Sequence, residues 1–283
     1  MRLLNVHPGG TYLDGTLGGA THTEELLKRS APGGRVLSFD VDTHALQRAS
    51  ERLRAYGSRW IGVEANFRAL DRVAEQQGYV PVDGILLDLG FSSDQLVDVS
   101  KGLSFQQNGP LDMRLGVHAN EDGLTAADIV NTWSAQDLER IIRDYGEERY
   151  AWKIAQAIIV ERKLKTFATT HDLANFLRLA LPTGYERGRL HPATRTFQAL
   201  RIAVNDELNT LQTAIRAASQ VLAPGGRLAI ISFHSLEDRI VKRAFLDQEG
   251  WTPLTKRPII ASDEECRINP RARSAKLRVA SWN

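Results

Sequence analysis

Along the first ninety residues, apolar and polar positions alternate in a regular rhythm. Short apolar runs close on an acid: Tyr12-Leu13-Asp14, then Val36-Leu37-Ser38-Phe39-Asp40, then Ile85-Leu86-Leu87-Asp88. Between them lie stretches with the three-to-four spacing of amphipathic helices, over 24–28, 43–56 and from Leu70 through Val73. A further strand is predicted over 60–64. Strand and helix in alternation predict an α/β fold, a parallel sheet with helices on both faces. The unbroken apolar run of 82–88 marks a central strand buried on both sides. After residue 100 the rhythm changes. A polar loop at 101–110 leads into a stretch, 125–181, that reads as helices only, with capping signals at Ser134 and Thr169. Phe197, Leu200, Val204, Leu208, Leu211, Ile215, Ala218 and Leu222 keep one helical phase, so one long helix is predicted from Ala193 to Leu222. The strand rhythm resumes at 227–232, and 251–254 with 275–280 reads as a hairpin at the sheet edge. The expected organisation is a sheet domain over 1–100 and 195–283, interrupted by a helical insertion over 101–194 that would grip a substrate.

The candidate chemistry sits where the strands end. Asp14 is followed by Gly15, Gly18 and Gly19, a turn that lets a backbone approach a ligand closely. Thr21 or Thr23 is expected to cap the next helix, with Glu24 completing a capping box for Thr21. A helix start behind such a turn presents free N–H donors. The spacing is not the Gly-x-Gly-x-x-Gly of dinucleotide binding, and an acid ahead of the turn suits a cationic or zwitterionic ligand. Asp40, at the second strand tip, is expected to hold ribose hydroxyls, Asp42 to cap the helix after it, and Phe67 to lie by an adenine. These residues support a nucleoside cofactor without choosing between a methyl donor and a nicotinamide. Three acids, Asp14, Asp40 and Asp88, are expected at one cleft, because ligands of such sheets bind at the carboxyl ends of the strands.

Composition narrows the setting. The 283 residues carry a net charge of +2, so only local clustering bears on partners. One cluster stands out: Lys256, Arg257, Arg267, Arg271, Arg273, Lys276 and Arg278 face only Asp263, Glu264 and Glu265, an arrangement suited to a phosphate backbone. A second basic, glycine-containing loop is read over 184–192. The single cysteine, Cys266, excludes an intrachain disulfide and a cysteine-based zinc site and fits a reducing, cytoplasmic location. No apolar run has the length of a membrane span, and the sequence pattern sets no cluster with metal-ligand spacing around His234.

Blocks spread over nearly the whole chain resemble one family. They are Asp14-Gly15-Thr16-Leu17-Gly18-Gly19, the run from Leu86 to Leu96, Gly109-Pro110-Leu111-Asp112-Met113-Arg114 and Tyr145-Gly146-Glu147-Glu148-Arg149. His191-Pro192-Ala193-Thr194-Arg195, Ser232-Phe233-His234-Ser235-Leu236-Glu237-Asp238-Arg239 and Asn269-Pro270-Arg271-Ala272-Arg273-Ser274 complete the set. In this order they resemble the RsmH (MraW) family. The resemblance implies a class I, Rossmann-like methyltransferase sheet with an inserted helical domain. It implies S-adenosyl-L-methionine as cofactor and transfer of its methyl group to N4 of a cytidine in the decoding region of small-subunit (16S) ribosomal RNA. The partner is then that RNA or the assembled small subunit, with no membrane role; a dimer is compatible with it. By position, the cofactor would meet Gly19, Ala20, Thr21, His22, Asp40, Phe67, Asp88 and Gln95, and Arg195, Arg271 and Arg273 are expected to meet RNA. The chain departs from the family where Ala20-Thr21 replaces a usual Gly-Gly, where Phe91 replaces Val, and in lacking the usual lead segment with His-x-Pro-Val-Leu.

Asp88 is the expected catalytic residue, accepting a hydrogen bond from the exocyclic amino group. Phe91 is a candidate to stack on a splayed-out base, and Ser232 and His234 to approach that base from the neighbouring strand tip. Carbon-5 methylation would need a thiolate nucleophile, and Cys266 lies far in sequence from the strand tips. The competing readings are a nicotinamide-dependent oxidoreductase on a similar fold and a non-catalytic ribosome-assembly protein.

Overall fold

The computed structural model describes residues 1–116, 120, 123–182, 185 and 191–283, without the side chain of Ser93. The chain forms two compact units, one of Met1–Phe91 with Leu208–Asn283 and one of Ser92–Glu207.

The first unit opens with β1 (Thr11–Asp14), α1 (Thr21–Arg29), β2 (Arg35–Asp40), α2 (Thr43–Arg52), β3 (Trp60–Glu64), α3 (Leu70–Gln76) and β4 (Val82–Asp88). β1 pairs in parallel with both β2 and β4, and β2 with β3. The carboxyl ends of β1, β2 and β4 therefore share one edge, with Asp14, Asp40 and Asp88 at their tips. Along β4, Ile85 and Leu87 join one apolar core and Leu86 the other, the period-two alternation of a strand covered on both sides. Gly15 turns the chain out of β1 in tight quarters: a Cβ there would come within 2.3 Å of Leu87 Cδ2.

The second unit holds α4 (Ser93–Val97), α5 (Ala126–Thr132), α6 (Ala135–Asp144), α7 (Ala151–Glu161), α8 (Thr170–Ala180) and α9 (Thr194–Asn205). Thr125, Ser134 and Thr169 each accept the N3 amide of the helix that follows, so the capping signals at Ser134 and Thr169 mark real helix starts. Ile129, Leu138, Ile142, Ile154, Ile158, Leu173, Leu177, Phe197 and Leu200 form its own core. This unit takes in α4 and α9, which the sequence pattern assigns partly or wholly to the sheet domain. Most of the basic loop read over 184–192 lies outside the described residues.

The sheet unit resumes with α10 (Glu207–Val221), β5 (Leu222–Ser232), α11 (Ser235–Asp247), β6 (Trp251–Pro253), β7 (Ile259–Ile260), α12 (Asp263–Ile268) and β8 (Lys276–Trp282). The single helix expected from Ala193 to Leu222 is two. Asp206 stands between α9 and α10 at φ 49°, ψ 40°, a left-handed conformation that Asp tolerates better than most residues. The apolar phase carries on through the break, which is why periodicity alone does not reveal it. β5 lies parallel to β4, and β8 pairs antiparallel with β5, β6 and β7. The strand order is β3-β2-β1-β4-β5-β8-β6. The expected terminal hairpin is present as β6 and β8, but β8 lies inside the sheet, between β5 and β6.

Candidate active site

The turn after β1 is built from inside. Asp14 is fully buried and accepts the Thr16 amide at 3.1 Å and the Thr23 hydroxyl at 2.7 Å. The Thr23 hydroxyl also meets Ser38 Oγ at 2.8 Å. Burial pushes the Asp14 carboxyl above its usual range, opposed by the His22 charge and by these hydrogen bonds. Asp14 thus anchors the turn from below and does not face a ligand, contrary to the reading of it as a cation-binding acid. The same contacts overturn the expected cap: Thr23 is turned to Asp14, and the N-cap of α1 is Ala20, with no side-chain hydrogen bond. Ala20 is buried at φ 60°, a left-handed position that normally favours glycine. The first amides of α1 are left to whatever lies above them.

Asp40 ties the turn to β2. Its Oδ2 accepts the Gly18 amide at 2.8 Å and its Oδ1 accepts the Asp42 amide at 2.9 Å. Each oxygen retains a lone pair for a further donor. Burial pushes this carboxyl up as well, against those two amides. Asp42 caps α2, accepting the His44 amide, as expected. Gly19 is exposed and its carbonyl accepts from Arg52 at 2.8 Å; Thr21 is exposed and His22 half-buried. Phe67 opens a short helical turn after β3 and packs, partly buried, against the main core. A groove of about 390 Å³ opens beside Thr21 and His22, floored by Leu86, Ala229 and Ile231.

Asp88 is different from the other two acids. Its amide donates to Thr16 Oγ1 at 2.7 Å, which fixes the strand tip to the glycine turn. Its Oδ2 lies 3.7 Å from His22 Nδ1, while Oδ1 is buried without a hydrogen-bond partner. Burial pushes the carboxyl up to about 6; the His22 charge works against this, and the Asp14 and Glu237 charges add to it. A buried acceptor with no donor is costly and calls for a ligand.

At the tip of β5, next to β4, Ser232 is buried and its hydroxyl donates to the Lys276 carbonyl at 3.4 Å. His234 caps α11: its Nδ1 accepts the Glu237 amide at 3.4 Å, while Glu237 accepts the amides of Phe233 and His234. Glu237, nearly fully buried, is a functional neighbour that the sequence pattern does not single out, although the His-x-x-Glu spacing of a capping box signals it. Of the basic tail, Arg278 and Lys276 are consumed by Asp238, at 2.6 and 3.3 Å. Arg273 is exposed, and the exposed Arg271 places its guanidinium 5.7 Å from the centre of the Phe91 ring.

Two expected site residues belong to the helical unit. Gln95 is buried; its side chain accepts the Ser92 amide at 2.9 Å and donates to the Leu115 carbonyl at 3.2 Å. Arg195 donates to the Glu147 carbonyl at 2.7 Å. Within the sheet unit, by contrast, the glycine turn, His22, Asp40 and Asp88 converge on one edge. Uncapped helix amides and a ribose-type acid suit a nucleoside cofactor, and the buried, unpaired oxygen of Asp88 is left to accept from a second ligand.

Five parallel strands in the order 3-2-1-4-5, continued by an antiparallel strand and bearing acids at the tips of strands 1, 2 and 4, make this the sheet of a class I methyltransferase. The chain belongs to the MraW methylase family, which it matches over residues 1–282. A "Ribosomal RNA small subunit methyltransferase H" from Thermomicrobium roseum is 48% identical, over 96% of this chain and 87% of its own. Its namesake from Deinococcus deserti is 51% identical at the same coverages. A solved rRNA methylase from Streptococcus thermophilus, 14% identical, superposes with a TM-score of 0.47 over 99% of this chain and 91% of its own.

Proposed function

We propose that this chain transfers a methyl group from S-adenosyl-L-methionine to N4 of a cytidine in the decoding region of 16S ribosomal RNA, in the cytoplasm. The observation that carries the reading is Asp88: a carboxylate at the tip of the central strand, beside the glycine turn, with one buried oxygen lacking a donor. The names of the relatives support ribosomal RNA as the substrate class.

The exocyclic amino group of cytosine is a weak nucleophile because its lone pair is delocalised into the ring. Asp88 accepts a hydrogen bond from that group and so orients the nitrogen for attack. S-adenosyl-L-methionine, when bound, would supply an electrophilic sulfonium methyl group and would be left as the neutral thioether. The amino group then sheds a proton. With its carboxyl at about 6, Asp88 is ionised at neutral pH and basic enough to receive it. Asp40 would hold the ribose hydroxyls, the amides of α1 with Gly19, Ala20, Thr21 and His22 would hold the methionine end, and Phe67 would meet the adenine. The helical unit serves as the substrate-recognition module, and Arg195, Arg271 and Arg273 meet the RNA backbone.

Incubating the protein with labelled methyl donor and unmodified small subunits, followed by nucleoside mass spectrometry, tests this. N4-methylcytidine is the expected product; label found only in ribose or at carbon 5 overturns the assignment.

A further inference from the structure

Two buried side-chain atoms at the tips of adjacent strands lack hydrogen-bond partners: Asp88 Oδ1 on β4 and His234 Nε2 just after β5. The strands are in register here, with Asp88 opposite Ile231 and the Leu89 amide donating to the Ile231 carbonyl at 3.0 Å. Glu237 is a neighbour of both, its charge acting on Asp88 and its carboxylate lying 3.3 Å from His234 Nε2, outside hydrogen-bond geometry.

The two atoms have opposite character. Asp88 Oδ1, ionised, only accepts. His234 Nδ1 accepts the Glu237 amide, so it carries no proton, and the proton of the neutral ring sits on Nε2. Nε2 is therefore a buried donor. One buried acceptor and one buried donor, each unpaired, are costly to fold around unless a ligand satisfies both.

Resting on the amino-methyltransferase reading above, we infer that His234 Nε2–H donates to N3 of the target cytosine while Asp88 Oδ1 accepts from its N4 amino group. Cytosine presents that donor and acceptor side by side. Uracil presents the reverse: its O4 would face the carboxylate and its N3–H would face Nε2–H, two like-to-like contacts in a buried place. Guanine is refused on the same grounds. Adenine shares the amino-and-ring-nitrogen edge, so the pair separates amino bases from oxo bases and leaves ring size to separate pyrimidine from purine. His234 thus becomes a specificity-determining residue for the reaction, and its role as helix cap sets its tautomer.

Small subunits carrying 3-deazacytidine at the target position test the inference. The analogue keeps the amino group, as the better nucleophile, and replaces N3 by a C–H. The unaltered enzyme is expected to methylate it with kcat/KM about 10- to 100-fold below cytidine, the loss from leaving one buried donor unpaired. In His234→Leu, cytidine methylation falls by a similar factor and the difference between the two bases disappears. His234→Gln, which retains a donor, recovers part of both. Calorimetry with S-adenosylhomocysteine is expected to give unchanged affinity in each variant, showing a folded cofactor site. Should His234→Leu fail to fold for want of its cap, the comparison of the two bases on the unaltered enzyme decides. Equal rates on the two bases, or discrimination that survives in His234→Leu, overturn the role of His234 alone. Absence of N4-methylcytidine with the unaltered enzyme overturns the methyltransferase reading and this inference with it.

Discussion

Asp88 Oδ2 lies 3.7 Å from His22 Nδ1, so the acid at the tip of the central strand and the second residue of α1 form one electrostatic unit. Burial raises the carboxyl to about 6 and the His22 charge restrains that rise. The ionised form is the one that accepts a hydrogen bond from an amino group. The expected pH profile of kcat/KM for methyl transfer therefore climbs as pH rises through about 6 and levels above it. His22→Gln removes the restraining charge, and the climb moves to higher pH. A profile flat between pH 5 and 8 would separate Asp88 from the chemistry.

The same residue gives a stability prediction with a definite sign. The folded-state carboxyl titrates at about 6, above the usual 3.8, so the folded protein holds the proton more tightly than the unfolded chain does. Its contribution is fully favourable below about 3.8 and is lost as pH rises from there through about 6. Asp88→Asn carries no such charge. It is expected to match the unaltered protein near pH 4 and to exceed it at pH 8 by on the order of 1 kcal/mol, a figure already discounted because the side chain is a third exposed. Urea titrations at the two pH values read the difference. Activity should be lost in the same variant, a functional group retained at a cost in stability.

Ala20 makes the turn itself testable. Its methyl is buried and its φ is 60°. A left-handed alanine costs about 1–2 kcal/mol, while glycine there would free the unfolded chain by about 0.4–1 kcal/mol and lose a buried methyl worth about 0.8 kcal/mol. These nearly cancel, so Ala20→Gly should stay within about 0.5 kcal/mol of the parent. Ala20→Val adds β-branching to the same conformation and should lose about 2 kcal/mol or more. S-adenosylhomocysteine binding, followed by calorimetry, should hold in the first variant and weaken in the second.

These residues show how far the sequence carries. The strand tips are legible because each apolar run ends in an acid and each pairing is parallel, which places Asp14, Asp40 and Asp88 together. Which of them faces a ligand is not legible. That depends on Thr23, whose hydroxyl reaches Asp14 from α1 and also meets Ser38 of β2, so that Asp14 is spent internally. The cap of α1 escapes the sequence because the Thr23 hydroxyl is claimed by the buried Asp14 and Thr21 already lies inside the helix, one residue past the N-cap Ala20. Asp206 breaks a helix without disturbing its apolar phase, because a single left-handed residue leaves a three-to-four spacing readable on both sides. Glu237 is legible as a capping residue, but its effect on Asp88 requires the register of β4 against β5.

The basic tail yields the last prediction, because its charges divide by geometry. Arg278 is buried and its Nε donates to Asp238 at 2.6 Å, which places it in the fabric of the sheet between β8 and α11. Removing it leaves the mostly buried Asp238 with Lys276 alone, at 3.3 Å, so Arg278→Ala should cost about 2 kcal/mol of stability and reduce RNA binding only through unfolding. Arg271 and Arg273 lie on exposed backbone after α12. Arg271→Ala and Arg273→Ala should leave stability within about 0.5 kcal/mol. Each should instead reduce the slope of log K against log salt for small-subunit binding by about 1, the mark of one phosphate no longer neutralised. Denaturant titration paired with filter binding at several salt concentrations separates the two classes. An unchanged salt slope in both exposed variants would remove the tail from the RNA-binding surface.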